Sequence, residues 1–283
     1  MLNLPQTEPM QIKPTIFLQI LTVCCLCFNS CTKKNSPSPT PETKPSPGKE
    51  DPVLPPPTAE KSHIPETLTS ESLTITLKYT ATSGNLSEIE SSDGTKELYF
   101  YNDKGQLKEY DRYEKSERKY VVYYIRDQDG QVIKGNQNEV ESEGTVLTPN
   151  GYYRIEYTVD KKISKISWFD NGNRLLREEK RTYNEDGSVQ VSTTAQNAGT
   201  LTYTFDGENA WCSRVNYTQV LSIESLPGLF LSSTENISKA TSTTLSIPST
   251  SYTYTYDTDN FPTSWVETDV KTGTKRSLKV TYK

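Results

Sequence analysis

Apolar and polar residues alternate one for one along most of the chain after residue 68, and this period of two decides the fold class. Leu73, Ile75, Leu77 and Tyr79 alternate with Thr74, Thr76 and Lys78. Tyr153, Ile155, Tyr157 and Val159 alternate with Arg154, Glu156 and Thr158, and Leu278, Val280 and Tyr282 close the chain in the same way. Successive side chains of an extended strand point to opposite faces, so each of these segments reads as a strand with one apolar and one wet face. Alanine is scarce there and β-branched or aromatic residues abound, which disfavours helix.

The punctuation between strands is equally regular. Asx-Gly pairs stand at Asp93-Gly94, Asp129-Gly130, Asn150-Gly151, Asn171-Gly172, Asp186-Gly187 and Asp206-Gly207. Tight hairpin turns need positive φ, which Gly adopts freely and Asn or Asp tolerates. The stretches Tyr101–Leu107 (YNDKGQL) and Tyr183–Val189 (YNEDGSV) share one unit, aromatic-Asx-x-x-Gly-x-apolar. Short turns make sequential strands antiparallel neighbours. The expectation is therefore an all-β domain over 68–283, an antiparallel up-and-down meander of about fourteen strands. It should curl or close into a barrel-like sheet, because closure removes exposed edges. In SYTYTYDTDNFPTSW (251–265), Tyr252, Tyr254 and Tyr256 share one strand face, Asp257 to Asn260 turn the chain, and Pro262 opens the next strand.

One stretch breaks the rhythm. Leu221 to Ala240 is Leu-rich and interrupted by Pro227-Gly228. It is predicted to be a connection with a helical turn, packed across an end or edge of the sheet. It would be either a plug or a lid, and any ligand, small and apolar or sugar-like, would bind beneath it.

The segment before residue 68 is of another kind. Ile16 to Phe28 is an apolar run long enough for a signal-peptide core and too short to span a bilayer. Lys13 precedes it closely if translation starts at Met10 rather than Met1. The run ends in Phe28-Asn29-Ser30-Cys31, which resembles the lipobox of bacterial lipoproteins, in which a small residue precedes an acylated Cys. Phe28 and Asn29 depart from that pattern. The reading is a signal peptide over 1–30, lipidation at Cys31, and a Pro-rich disordered tether over 31–67. At ~3.1 Å per residue such a tether reaches roughly 100 Å. Lys33 and Lys34 directly after the Cys favour the periplasmic face of the outer membrane over the cell surface.

Cleavage before Cys31 leaves Cys212 as the one free thiol, so no disulfide within the chain is expected. The formal net charge of −5 and the lack of a basic patch argue against nucleic acid. His63 is the only histidine. Placed in the tether, it leaves the domain without Ser-His-Asp or Cys-His chemistry or His-ligated zinc. Cys212, in NAWCSRV, is expected on a strand as a buried inert thiol. Asp127-Gln128-Asp129-Gly130 is read as a hairpin turn and not a calcium loop, because Ile125 and Asn136 stand where that loop needs ligands. Glu178-Glu179 could supply a glycosidase pair, but neighbouring strand residues diverge, so a solvated stripe is expected. The tyrosines are read chiefly as packing residues with hydroxyls reaching water at the sheet margin. An outward row of three or more aromatics would favour a glycan platform.

A further resemblance rests on GLFLSS (228–233), on YTYTYDTDNFPTSWVET (252–268) and on the terminal LKVTYK (278–283). These look like the C-terminal signature of a family of Bacteroides-type lipoproteins, a domain of unknown function with a porin-like fold. The hairpin unit also resembles the YD repeats of large secreted shell proteins. The family resemblance implies a barrel-like β fold and an envelope location, and no activity or functional residue. The resulting expectation is a monomeric, non-enzymatic envelope lipoprotein, without cofactor or metal, anchored in the membrane by lipid and serving a binding or structural role. The alternative is a surface glycan-binding module using exposed Tyr or Trp. Insertion as a true porin is disfavoured by the charged residues on the polar strand faces.

Overall fold

The structure is a computed structural model that describes residues 62–141, 146–194, 199–225, 230, 234–244 and 247–283. Cys31, the signal peptide and nearly all of the tether lie outside the described residues. The first eight strands are β1 (Pro65–Thr69), β2 (Thr74–Tyr79), β3 (Leu86–Ser91), β4 (Thr95–Tyr101), β5 (Leu107–Glu114), β6 (Glu117–Arg126), β7 (Val132–Val140) and β8 (Leu147–Tyr157). They are followed by β9 (Ile163–Phe169), β10 (Leu175–Tyr183), β11 (Val189–Thr193) and β12 (Gly199–Asn209). A short helix, α1 (Thr218–Glu224), precedes β13 (Glu235–Ser242), β14 (Thr250–Tyr256), β15 (Pro262–Asp269) and β16 (Lys275–Tyr282).

Every strand pairs with its sequence neighbours, and β1 pairs with β16, so the meander closes into a barrel. The expected fold class holds, with sixteen strands among the described residues where about fourteen were expected. The difference comes partly from short or irregular segments. β1 starts at Pro65, three residues before the expected boundary, and β13 (235–242) begins within the stretch 221–240 that was read as a connection.

Alternation assigns the two faces as the sequence implied. Leu77, Ile89, Tyr99, Tyr110, Val122, Tyr153, Ile166, Tyr203 and Val280 are buried in the interior. The outer wall is charged. Lys78 bridges Glu88 at 2.6 Å and Glu90 at 3.1 Å, and Lys96 reaches Glu88 at 3.1 Å. Arg118 pairs with Glu109 and Asp111 across the next strands, and Lys165 lies between Glu156 and Glu178. Elsewhere hydroxyls line the wall, as in the Thr67–Thr281 contact at 2.7 Å that crosses the closing seam.

The turns following even-numbered strands lie at one end of the barrel, and a repeated device joins them. The last residue of an even strand faces inward and donates to the backbone carbonyl of the first residue of the preceding strand. Tyr79 reaches Pro65 at 2.8 Å, Tyr101 reaches Leu86 at 2.6 Å, and Tyr157 reaches Val132 at 2.6 Å. Tyr183 reaches Ile163 at 2.6 Å and Tyr282 reaches Pro262 at 2.8 Å. Arg126 takes the same place on β6 and donates to Leu107. These rim tyrosine hydroxyls therefore bond carbonyls and do not end in water, which corrects the expectation. Burial pushes the pKa of Tyr79, Tyr101, Tyr157 and Tyr282 above the ordinary phenolic range, so these hydroxyls remain donors at alkaline pH.

The chain between β12 and β13 turns into the barrel. Trp211, Cys212, Val215, Val220, Leu221 and Phe230 are buried in the same core as the strand residues, and Trp211 stacks on Phe230 at 5.9 Å. Tyr217 turns the chain with φ 63°, and Asn216 and Tyr217 bond Asn85 and the Gly105 carbonyl of the rim. Leu221 thus lies inside the lumen and not across an end or edge, which corrects the sequence reading. Residues 226–229 and 231–233, including Pro227-Gly228, lie outside the described residues. Cys212 sits in a turn and not on a strand, buried as expected, beside Tyr79 and Tyr282.

Because each rim hydroxyl is buried and bonded to a backbone carbonyl, removing one has a measurable cost. Tyr101→Phe should destabilise the barrel by about 1 kcal/mol, read as a lowered denaturant midpoint at unchanged slope. Tyr123→Phe, on the outer wall, should leave the midpoint within about 0.5 kcal/mol of the parent. A chain starting at Ser70, which lacks β1, should lose the cooperative melt that a chain starting at Ser62 retains.

Candidate functional site

The lumen divides into two halves with different chemistry. Towards the tyrosine rim it is filled by rings, aliphatics and the inserted segment. Towards the opposite rim the inward positions turn polar: Arg112 on β5, Tyr120 on β6, Gln137 on β7, Arg177 and Glu179 on β10, Glu267 on β15 and Arg276 on β16. Their inward orientation follows from register, since Arg112 pairs with Tyr120, Trp168 with Arg177 and Glu267 with Arg276.

Two buried carboxylates join the inserted segment to the wall. Glu97 on β4 is completely buried and accepts from Ser225 at 2.6 Å, from Tyr99 at 2.5 Å and from Tyr110 at 3.1 Å. Tyr110 also bonds the Glu224 carbonyl at 3.0 Å. The end of α1 is therefore held by three strand side chains. Glu224 itself projects towards β6 and β7. Gln137 Nε2 donates to Glu224 Oε1 at 3.2 Å and also to the Tyr120 hydroxyl, which in turn bonds Glu224.

Glu224 is surrounded by the barrel yet keeps part of its surface accessible from the lumen. Burial dominates its titration and pushes its pKa up to about 7, against the opposing hydrogen bonds of Tyr120 and Gln137 and the fields of Arg112 and Arg177. Around it, the Arg112 guanidinium lies 5.3 Å from the Tyr120 ring centre, and that of Arg177 lies 3.7 Å from the ring centre of Trp168. Tyr153 packs 6.2 Å from Trp168. A Cβ on the facing Gly135 would stand 2.3 Å from the Tyr153 ring, so only glycine admits that ring. The Tyr124 and Tyr153 hydroxyls are buried beneath this mouth and bond no carbonyl or carboxylate.

Of the residues at this mouth, only Glu179 was singled out from the sequence, as half of the Glu178-Glu179 pair. A signal was present: Arg112, Arg177 and Glu179 are charged residues standing on the apolar phase of their strands. Glu178-Glu179 diverges as expected, with Glu178 outside, accepting from Ser167 at 3.1 Å. Glu179, however, is buried and paired with Arg181 at 2.8 Å, so it is not part of a solvated stripe. Asp127-Gln128-Asp129-Gly130 is the expected hairpin turn, with Asp127 Oδ1 accepting the Asp129 and Gln131 amides.

His63 corrects the sequence reading more plainly. It is buried on the barrel rim, stacked 3.9 Å from Phe261, with Nε2 2.9 Å from Asp257 Oδ2 and 3.5 Å from Asp259 Oδ2. Among the described residues these three form the one group with metal-ligand composition. Asp257 Oδ1 meanwhile accepts the amides of Asp259 and Phe261, so this carboxylate serves the turn and anchors His63.

Most aromatics face inward, and Tyr252, Tyr254 and Tyr256 do so together, as their shared phase required. A second set faces out: Phe100, Tyr123, Tyr152 and Phe169 lie on one row across β4 to β9. The row has four members, which meets the condition set for a glycan platform; Tyr152 stacks on Phe169 at 4.9 Å with Lys134 4.2 Å from its ring centre, while Phe100 is 41% exposed.

No family model matches the chain, and no curated protein matches it. Among solved structures the chain is similar to a porin-like protein from Bacteroides uniformis ATCC 8492, at TM-score 0.41 and 13% identity, covering 77% of this chain and 94% of that one. It is similar also to a porin-like protein from Bacteroides vulgatus ATCC 8482, at TM-score 0.38 and 12% identity, covering 78% and 98%. A TcdB2-TccC3-TEV structure matches at TM-score 0.31 and 14% identity over 74% of this chain and 12% of that one.

The raised pKa of Glu224 has a definite linkage sign. The folded barrel holds this proton up to about pH 7, whereas an unfolded Glu releases it near 4.3. Stability is therefore greatest below the unfolded value and declines as pH rises to about 7, by a few kcal/mol. Glu224→Gln should flatten this decline and raise the melting temperature at pH 8, as measured by circular dichroism across pH 4–8.

Proposed function

We propose that this chain is a lipid-anchored, non-enzymatic protein of the cell envelope, a water-facing barrel on a tether with a binding or structural role. The observation that carries the reading is the polarity of the wall. A membrane-spanning barrel needs an outward apolar band about 25 Å tall, whereas here Lys78, Glu88, Lys96, Arg118, Asp111 and Lys165 face outward in ion pairs. The inserted segment occupies the lumen, which argues against a pore. The apolar run before Cys31 and the Pro-rich segment after it support secretion, acylation at Cys31 and a tether from the outer membrane, with the periplasmic face favoured.

A non-enzymatic role is supported by the state of two of the lumenal carboxylates, Glu97 and Glu179, while Glu224 is the one whose raised pKa would suit a base. Glu97 accepts three hydroxyl donors and Glu179 is paired with Arg181, which leaves neither as a ready base. Of the ligands considered, the polar mouth around Glu224 favours a glycan over an apolar molecule. The outward row of Phe100, Tyr123, Tyr152 and Phe169 supports the alternative, a surface glycan platform.

Three measurements test the reading together. Residues 62–283 should remain monomeric in buffer without detergent and conduct no ions across planar bilayers. The full chain should carry acyl groups by mass spectrometry, and Cys31→Ala should lose them. A detergent requirement or channel conductance would reject the water-facing barrel, and an unacylated mature N-terminus would reject the anchor. The binding role is tested by screening residues 62–283 against arrayed glycans, and the absence of any response would leave only the structural role.

A further inference from the structure

The polar side chains that the fold leaves underused gather at one place. Arg112, Tyr120, Gln137, Trp168, Arg177 and Glu224 come from β5, β6, β7, β9, β10 and the end of α1, and all face the mouth opposite the tyrosine rim. We propose that this mouth is a binding site for a carboxylated saccharide. The proposal rests on the binding role given above and supplies its ligand class.

The chemistry of the lining carries the assignment. Glu224 and Gln137 offer planar carboxyl and amide groups, already linked through the Tyr120 hydroxyl. Such groups match the paired donors and acceptors of neighbouring sugar hydroxyls. Exchanging their mutual bonds for ligand bonds leaves every polar atom satisfied. Trp168 and Tyr153 form a buried aromatic wall on one side, on which the Arg177 guanidinium rests 3.7 Å from the Trp168 ring centre. Arg177 is exposed and forms no ion pair among the described residues, while Arg112 has only a loose contact to Glu114 at 3.6 Å. Two guanidiniums at the opening of a low-dielectric lumen favour an anionic ligand, and the fork of donors on Arg suits a carboxylate.

Two further observations concern polar groups that have room for a further bond. The buried Tyr124 and Tyr153 hydroxyls bond only each other, and Arg112 Nε has nothing nearer than the Glu114 carboxylate at 3.6 Å. Both hydroxyls lie within the field of Glu224, which places them beneath the same mouth. Closure also makes the site concave by construction, since side chains from strands on one half of a barrel converge on a shared axis.

Isothermal titration of residues 62–283 with an oligogalacturonide, a cello-oligosaccharide of equal length and acetate tests the proposal. The oligogalacturonide should bind one per chain, at least tenfold tighter than either other probe. Arg177→Ala and Gln137→Ala should each weaken it tenfold or more with the melt unchanged, while Arg177→Lys should retain part of the affinity. The outer-wall variant Lys239→Ala should bind as the parent does. Equal binding of the neutral sugar overturns the carboxylate requirement, and equal binding of acetate overturns the saccharide. Tight binding that survives both lumenal variants overturns the site while leaving the binding role intact. Absence of heat with the oligogalacturonide overturns the ligand class alone if arrayed glycans respond, and the binding role as well if they do not.

Discussion

The width of the closed sheet is the constraint on which the rest of the structure depends. An eight-stranded barrel has an interior that its own side chains can fill, and at sixteen strands the enclosed space admits a water channel. A barrel of this width with a packed interior must find other material to fill it. Two sources are used here. The inward positions favour Tyr, whose ring extends further from the wall than an aliphatic side chain, and the chain between β12 and β13 enters the lumen with Trp211, Val220, Leu221 and Phe230. The Glu97 cluster then fixes that insertion by hydrogen bonds to Ser225 and the α1 end.

The same tyrosines solve a second problem. A ring at the rim would leave its hydroxyl buried without a partner, and the repeated bond to the carbonyl of the first residue of the preceding strand satisfies it. Each such bond contributes about 1 kcal/mol, so the set matters against a total stability of about 5–15 kcal/mol. The rim also seats the start of the domain. His63 stacks on Phe261 and the Lys283 amide bonds the Ile64 carbonyl at 3.0 Å, so both ends of the barrel sequence meet there.

The fold was legible because strand alternation and Asx-Gly turns are local signals. The phase of Tyr252, Tyr254 and Tyr256 gave their face, and Asp127 to Gly130 gave its turn. What stayed hidden depends on contacts distant in sequence. Nothing around His63 distinguishes it from the tether, since its partners Asp257 and Phe261 are nearly two hundred residues away (|i−j| 194 for the Asp257 bond). Glu224 gains its character only when α1 carries it against Gln137, 87 residues earlier. The inward arginines were the one readable hint, as charges on an apolar phase, and only a closed barrel gives that phase a shared interior.

Inside and outside are thus assigned opposite roles to those of a membrane barrel: charge on the wall, rings and a plug within, and polar chemistry at one mouth. The central claim is that the α1 segment is a built-in part of the packed interior. Amide hydrogen exchange of residues 62–283 tests it most directly, at Leu221 and Ser225, whose amides bond Tyr217 and Leu221 within the segment. The account requires both amides to exchange as slowly as those of β5, limited by global unfolding. Exchange orders of magnitude faster than β5, with β5 still protected, would mean that the segment leaves the lumen while the barrel stands, and would contradict it.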